Sequence, residues 1–294
     1  MAIAALFLFA SMPCIGDVLT GGIYEVYHEP QDAALAESTL QTLIASQTQF
    51  EDEFPNTPQR ITVHLCASYD EFAVYAGHLA TQSIVGVAKL NEDVIAIKTP
   101  GIAPQGADYT GTLRHELVHI LLHHNVNTDN VPRWLNEGIA MVLSGENRWA
   151  SRATVASMYL NGRTLSYREL EASFLEPGQE MEFGEAYAQA YSMTQYLMRE
   201  LGEGAFWPFV RSLNSRSFGE AVEAELGQIP HDFAVSWNSS LGWSAIAYSV
   251  VSGLSAFQIM AILTIWAYLR RRRHALTKLK QWESEEADDE TATP

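Results

Sequence analysis

Two histidines four residues apart, with a glutamate beside the first, are the residues of this sequence best suited to chemistry. The stretch His115-Glu116-Leu117-Val118-His119 has the pattern H-E-x-x-H. In an α-helix, residues i and i+4 lie on the same face, so both imidazoles can reach one zinc ion. Glu116 then lies next to the metal, where a carboxylate can act as general base toward a water molecule.

The neighbours of this motif favour metal binding over an ordinary polar helix surface. They are strongly apolar: Leu113, Leu117, Val118, Ile120, Leu121 and Leu122. Two imidazoles and a carboxylate buried among such side chains without a ligand would be costly in free energy. The sequence therefore predicts a metal site on this helix.

A third ligand is needed, because zinc in a hydrolytic site takes three protein ligands and keeps one position open for water. The best candidate is Glu137, 18 residues after His119 in the segment W-L-N-E-G-I-A. This interval allows a turn at residues 125–130 and a return helix antiparallel to the first. The apolar neighbours of Glu137 make a solvated carboxylate the less favoured interpretation. His123 is not a candidate, because it lies about 12 Å along the helix axis from His115.

The elements around these residues predict an α+β domain at residues 21–240. Strands are expected early in this region, at residues 22–28 and 61–66 and in a hairpin at residues 83–88 and 93–98. Helices are expected at residues 32–54 and 70–78, then at 110–124, 131–143, 150–160 and 183–201, with shorter pieces up to residue 237. Strands first and helices later put the H-E-x-x-H helix at the junction of the two parts.

Composition excludes several classes of protein. A hydrophobic content of 47% supports a packed core, and 35 acidic against 18 basic residues give a net charge of -17, which repels phosphate backbones. Nucleic acid is therefore not an expected partner. The two cysteines, Cys14 and Cys66, exclude a disulfide-dense scaffold, so any metal must be held by histidines and carboxylates. Cys66 is predicted to be a buried apolar thiol.

A membrane-spanning helix is predicted near the C-terminus. Residues 243–269 contain no charged residue, and a helix of that length exceeds the roughly 30 Å of the hydrocarbon core. Arginines occupy all four positions from 270 to 273. By the positive-inside rule, the tail at residues 270–294 is expected in the cytoplasm and the domain outside the cell membrane.

The N-terminal residues 1–20 are expected to direct export of the domain. They begin with the apolar run MAIAALFLFA, which has the length of the hydrophobic region of a signal peptide. No basic residue precedes this run, and the cleavage pattern after it is poor. Both a cleaved signal peptide and an uncleaved anchor are consistent with the sequence.

The quoted motifs together resemble the gluzincin metallopeptidases, in particular the peptidase MA-like group of small exported or membrane-anchored proteins. The resemblance runs from about residue 61 to residue 237. It comprises the strand ITVHLC, the hairpin VGVAKLNEDVIAI, the HELVH helix, the WLNEGIA helix and the later helix AYAQAYSMTQYL. H-E-L-V-H combined with W-L-x-E-G-x-A is more specific than either half alone.

The resemblance implies a zincin-like fold and a set of roles. His115, His119 and Glu137 would bind Zn²⁺, Glu116 would be the general base, and Tyr187 would point back to the site. From the residues alone, Tyr187 is equally well explained as a core residue of an amphipathic helix, and Tyr191 better so.

One position departs from the thermolysin type of gluzincin. That type has an acidic residue four positions after the ligand glutamate, and this chain has Met141. The sequence therefore leaves undecided which residue orients a metal-bound imidazole. Asn136 is a weaker substitute for the acidic residue.

The function expected from these residues is that of a single-pass, membrane-anchored zinc metallopeptidase that hydrolyses peptide or protein substrates. One alternative is a catalytically silent ectodomain of the same fold that binds a protein or polymer partner. Another is a zinc hydrolase of a non-peptide amide, which would use the same residues. The intact Glu116 favours an enzyme, since a decayed site is expected to lose its base first.

Overall fold

The N-terminal half of the domain is built around a sheet, and helices follow it. A computed structural model describes residues 16–145, 148–174, 180–202, 204–243, 245–247, 260–261 and 263–273. Within these residues the sheet has five strands: β1 (Asp17–Gly21), β2 (Tyr24–His28), β3 (Ile61–Cys66), β4 (Gly86–Lys89) and β5 (Val94–Lys98). Their spatial order is β1-β2-β3-β5-β4.

The sheet is mixed. The inner strands β2, β3 and β5 run parallel, and β1 and β4 are antiparallel to their neighbours β2 and β5. Parallel neighbours need crossover connections, and the chain between β2 and β3 contains the helix α1 (Ala33–Gln49). The helix α2 (Tyr69–Ala76) lies between β3 and β4. Because β4 comes last in the spatial order of the strands, it is an edge strand. It lies next to the helix that carries the H-E-x-x-H motif.

The remaining helices come after the sheet. They are α3 (Tyr109–Asn125), α4 (Arg133–Ser144), α5 (Arg148–Leu160), α6 (Tyr167–Ser173), α7 (Glu180–Leu201), α8 (Phe206–Ser212), α9 (Phe218–Leu226) and α10 (Pro230–Ser240). Residues 260–261 and 263–273 are also helical. Strands followed by helices are what the sequence predicts for an α+β domain of the zincin kind, and this part of the expected fold class is confirmed.

Alternation along the strands sends side chains to two different cores. Val63 and Ile95 are paired neighbours on β3 and β5 and join the main core together with Leu117 of α3. Cys66 and Ala96 face the other side, where α2 covers the sheet. Burial is the main reason that the pKa of the Cys66 thiol is raised to about 12, with the negative charge of Glu71 adding to it. The thiol is free and buried, as the sequence analysis expects.

Two elements were not predicted from the sequence. β1 lies across the predicted boundary between residues 1–20 and the domain, and it extends the sheet by pairing with β2. α6 begins with a capping box, in which Ser166 and Glu169 each bind the other's backbone N–H. The S-x-x-E spacing of this box was the available signal for α6.

The membrane-related predictions fall mostly outside the described residues. This applies to residues 1–15, to residues 248–259 within the predicted membrane helix, and to residues 274–294 of the predicted tail. Among the residues that the structure describes, there is no helix with both the length and the apolar character needed to cross a bilayer.

Candidate metal centre and active site

The two motif histidines meet on the buried face of α3. Asp108 begins this helix by accepting a hydrogen bond from the Gly111 N–H at 2.8 Å. His115 and His119 are one helical turn apart. The centroids of their imidazole rings are separated by 4.7 Å, and the ring planes are inclined by 77° to each other. Both His115 and Glu116 are less than a tenth exposed, which the apolar surroundings of the motif predict.

Glu137 reaches both histidines from α4. Its Oε2 atom lies 3.2 Å from Nε2 of His115 and 3.5 Å from Nε2 of His119. A turn of 3₁₀ helix at Thr128–Asn130 reverses the chain between α3 and α4. The structure thus brings together the three residues that the sequence analysis proposes as ligands.

The spacing of these atoms fits a metal ion. One ligand atom from each of His115, His119 and Glu137 lies within 4.8 Å of the other two. Ligands at about 2.0–2.1 Å from one tetrahedral zinc ion are about 3.3 Å from each other, close to the two distances from Glu137. Imidazole nitrogens and a carboxylate oxygen are also a donor set that zinc prefers. The site therefore fits a divalent cation by geometry and by chemistry.

Mutual attraction shifts the pKa values of the site in opposite directions. Burial by itself would raise the pKa of Glu137, but the charges and hydrogen bonds of His119 and His115 outweigh it and lower that pKa well below its usual range. Burial would lower the pKa of His119, but the Glu137 carboxylate outweighs burial and raises it. The carboxylate is therefore ionised and concentrates negative charge where a cation would bind.

Asn136 orients the second histidine. Nδ1 of His119 donates a hydrogen bond to Oδ1 of Asn136 at 2.7 Å. Because the amide oxygen only accepts, this bond places a proton on Nδ1, so Nε2 is the nitrogen that faces Glu137 and is available to bind a metal. Asn136, proposed from the sequence only as a weaker substitute, occupies the orienting position beside His119.

Tyr187 lies beside the first histidine. Its ring centroid is 6.3 Å from that of His115, and Phe174 packs edge-on against it with a centroid distance of 5.3 Å. Tyr191, one turn later on α7, is only 1% exposed and belongs to the buried core. The structure thus brings Tyr187 to the site and buries Tyr191.

The edge strand β4 lies against Glu116. A Cβ atom placed on Gly86 would be 3.0 Å from Cγ and 3.2 Å from Oε1 of Glu116. Such contacts are tighter than ordinary van der Waals packing, so a side chain at position 86 would press on the carboxylate. Gly86 allows the backbone of the edge strand to approach the glutamate closely.

The sequence model of the Peptidase MA superfamily matches residues 62–241, which is more than half of the chain. The chain belongs to this superfamily. The matched region begins in β3 and includes α3, α4 and α7, so it contains all the site residues described above. It supports a metallopeptidase-like domain. No curated protein matches the chain significantly.

A glycine in the peptidase-like domain lets α4 and α7 pack closely. A Cβ atom on Gly138 would lie 2.6 Å from the carbonyl oxygen of Ala190 and would also collide with Thr194. Gly138 directly follows Glu137, so this close contact brings the part of α4 that carries the candidate ligand against α7, the helix that carries Tyr187. The glycine of the W-L-N-E-G segment therefore has a packing role.

Glu171 is a supporting residue that the sequence analysis missed. α4 starts after Pro132, which has no side chain able to cap a helix. The Glu171 carboxylate of α6 accepts hydrogen bonds from the backbone N–H groups of Arg133 at 3.2 Å and Trp134 at 3.1 Å. These bonds pair two backbone N–H groups that have no partner within the helix. The negative charge of the carboxylate also interacts favourably with the N-terminal end of the helix dipole. The proline at the helix start was the only local hint that a cap must come from elsewhere.

A contact between His124 and Asp93 holds the hairpin of β4 and β5 next to the site. Nε2 of His124 lies 2.6 Å from Oδ1 of Asp93, which occupies the left-handed turn between β4 and β5 with φ of 52°. At the other end of the hairpin, Lys98 is fully buried and its ammonium donates to the carbonyl oxygen of Thr81 at 2.6 Å. His124 therefore connects α3 to the hairpin and lies outside the cluster of His115, His119 and Glu137.

Proposed function

We propose that the protein is a membrane-anchored, zinc-dependent metallopeptidase that hydrolyses peptide bonds. The observation that carries this proposal is the convergence of His115, His119 and Glu137 beside an intact Glu116. Three protein ligands are the number that a hydrolytic zinc site uses, since the fourth position is kept for water or substrate. The superfamily match supports peptide or protein substrates.

The metal and Glu116 have complementary roles in this proposal. Zinc bound by the three ligands would supply a Lewis acid that polarises a carbonyl and lowers the pKa of a bound water toward about 7. The Glu116 carboxylate takes a proton from the attacking water and delivers it to the nitrogen of the leaving amine. Burial of Glu116 beneath Gly86 keeps the carboxylate in place for both transfers.

Tyr187 is the candidate for stabilising developing negative charge. Its ring lies beside that of His115, with a centroid distance of 6.3 Å. A tyrosine hydroxyl donates a hydrogen bond to the carbonyl oxygen of the substrate as that oxygen becomes negative. Asn136 has a positioning role, because it acts through His119.

The edge strand offers a surface for the substrate backbone. β4 has one neighbour, β5, in the described sheet, so its outer edge carries backbone groups that can pair with an extended peptide. Because β4 lies against Glu116, a peptide added to this edge would run past the general base.

We further propose that residues 243–269 anchor the protein in the cell membrane, with the catalytic domain outside and the tail in the cytoplasm. The uncharged length of this segment and the four arginines after it support this arrangement. The N-terminal residues 1–20 would direct export, either as a cleaved signal peptide or as an anchor.

Metal analysis together with a peptide-library cleavage assay tests the function. The wild-type protein is expected to hold one zinc ion per chain and to cleave peptides. Glu116→Gln should keep the zinc and lose about 10²-fold or more in turnover, because only the proton acceptor is removed. Glu137→Ala should lose most of the zinc.

Three results would contradict the proposal. Full zinc occupancy in Glu137→Ala would disprove the third ligand. Equal rates for Glu116→Gln and wild type would disprove the general base. A zinc-loaded wild-type domain that cleaves no peptide would favour the silent ectodomain, whose binding would be indifferent to Glu116→Gln.

A further inference from the structure

A small cavity between α5, α7 and α10 has a basic lining, although the protein as a whole is acidic. Its volume is about 210 Å³, and its lining includes Arg152 from α5 and Arg199 from α7. None of the described residues that line it is acidic, whereas the chain has 35 acidic and 18 basic residues. Two guanidinium groups at one cavity, with no carboxylate in the described lining, favour an anionic ligand.

Arg199 is oriented by an aromatic ring of the same cavity. The centre of its guanidinium lies 4.9 Å from the ring centroid of Tyr196, which also lines the cavity. Nη2 of Arg199 is 3.4 Å from the carboxylate of Glu200, but these side chains are 63% and 41% exposed, so solvent screens the pair. A guanidinium has five N–H donors, and this contact leaves most of them for a ligand.

Two uncharged side chains of α7 add hydrogen-bond donors to the lining. Oγ of Ser192 accepts a hydrogen bond from the indole N–H of Trp237 at 3.0 Å, which leaves the hydroxyl proton of Ser192 for a ligand. The amide of Gln195 has no hydrogen-bond partner within the part of the chain that the structure describes. Ser192, Gln195 and Arg199 share one face of the helix, so their donors lie along the same wall of the cavity.

This set of donors suits a phosphate group better than a carboxylate. The guanidinium fork of arginine pairs with the oxygens of either anion. A carboxylate has two oxygens in one plane, whereas the oxygens of a tetrahedral phosphate point in several directions, toward donors on both α5 and α7. The cavity is smaller than the roughly 300–1,000 Å³ of a pocket for a drug-sized ligand, so a compact group is the better fit.

The cavity lies where the chain leaves the domain toward the proposed membrane anchor. Leu241 and Ala245, which follow α10, both line it. Ala245 is the third residue of the uncharged segment 243–269. An anchor that starts at residue 243 therefore keeps the cavity close to the lipid headgroups, where basic pockets bind anionic lipids.

We propose that this cavity binds a phosphate group, presented by the headgroup of a phospholipid beside the anchor. The phosphate site is independent of the metallopeptidase activity proposed above, but its supply by a lipid rests on the proposed anchoring by residues 243–269. Occupation of the site would fix which side of the domain faces the membrane. Free phosphate has the same chemistry, and the experiment separates the two sources.

Three single substitutions test the site in the full-length protein. Arg199→Gln removes a guanidinium from the lining, and Gln195→Glu keeps the size of the side chain but adds a negative charge. Arg211→Gln is the matched control, because Arg211 is an exposed arginine on α8 that does not line the cavity. Circular dichroism checks the fold of each variant, and Gln195→Glu carries the test if Arg199→Gln is unfolded.

The first measurement is calorimetric titration, in a non-ionic detergent, with inorganic phosphate and with acetate. The wild type is expected to bind phosphate at one site and more tightly than acetate. Arg199→Gln and Gln195→Glu should weaken phosphate binding by about tenfold or more, the effect of losing a hydrogen bond to a charged group. Arg211→Gln should bind as the wild type does. Acetate binding as tight as that of phosphate would overturn the assignment of the anion.

The second measurement identifies the source of the phosphate. Each protein is transferred into micelles with equal amounts of phosphatidylglycerol and a neutral galactolipid, and native mass spectrometry detects the lipid that stays bound. The wild type and Arg211→Gln are expected to retain phosphatidylglycerol in preference to the galactolipid, and the two cavity variants should lose this preference.

The two measurements have separate consequences. Binding of inorganic phosphate without retention of phosphatidylglycerol would support the site but overturn the lipid as its source. Binding of neither ligand by the wild type, or equal binding in all variants, would overturn the inference. Zinc and peptide cleavage enter neither measurement, so failure of the metallopeptidase proposal would leave both results intact.

Discussion

The proton on His119 is positioned by a single neighbour, Asn136. The Nδ1–H group donates to the amide oxygen at 2.7 Å, which presents Nε2 to the space shared with His115 and Glu137. Partners of this kind determine the orientation and basicity of a ligating imidazole. In the proposed metal site, Asn136 would therefore influence how tightly a metal is held without contacting it.

We expect Asn136→Leu to weaken zinc binding by about 10–100-fold, because the imidazole of His119 loses the acceptor that orients it. Asn136→Asp keeps an acceptor oxygen at the same position and should retain most of the affinity. Competition with a zinc chelator measures both affinities. Equal zinc affinity in Asn136→Leu and wild type would show that something else orients His119.

At the scale of helices, α4 can pack closely against α7 because glycine at position 138 has no Cβ atom. Contact with the Ala190 carbonyl and with Thr194 leaves no room for a methyl group. The N-terminus of the same helix is held by Glu171 from α6. The helix that carries the candidate ligand Glu137 is thus held by a cap from α6 at its start and by a close contact with α7.

Gly138→Ala is expected to destabilise the domain by about 1–3 kcal/mol, since overpacking outweighs the better helix propensity of alanine. Gly184→Ala on α7 is the matched control, because none of the described residues has an atom within 4 Å of the added methyl group. This control should be as stable as wild type or more stable, by up to about 1 kcal/mol. Urea unfolding of each variant gives the free energies, and an unchanged stability in Gly138→Ala would contradict the packing argument.

At the scale of the whole molecule, the charge distribution supports the proposed orientation across the membrane. The segment after the uncharged residues 243–269 begins with four arginines, and the negative net charge of the chain comes from the region before it. Positive charge flanking a membrane helix is retained on the cytoplasmic side. The acidic domain would then face the outside.

Protease added to intact cells is expected to digest the domain before residue 243 and to spare the tail after residue 273. In a matched experiment, a cysteine introduced by Ser284→Cys should react with a membrane-impermeant thiol reagent only after the cells are opened. The variant also carries Cys14→Ser, and Cys66 is buried in the folded domain, so labelling reports on position 284. Labelling at position 284 from the outside of intact cells would show that the protein has the opposite orientation in the membrane.

The structure matches the predictions best where the signal in the sequence is local. The alternation in residues 61–66 predicts β3 over those residues, and the helical pattern of residues 110–124 predicts α3 to within one residue at each end. α6 was missed although its capping box is a local signal. β1 was missed because its pairing with β2 is what makes it a strand, and four of its five residues fall within residues 1–20, which were assigned to the export segment.

The sequence by itself determined the pair His115 and His119, because a four-residue spacing on a helix fixes two side chains on one face whatever surrounds them. It also pointed to Glu137 as a ligand, but only tertiary structure decided that its carboxylate lies 3.2 and 3.5 Å from the two imidazoles. The cap that Glu171 of α6 places on the N-terminus of α4 was likewise decided by packing. The physical reason is that periodicity specifies which residues share a face of one helix, while the distance between helices depends on the volumes of the side chains packed between them.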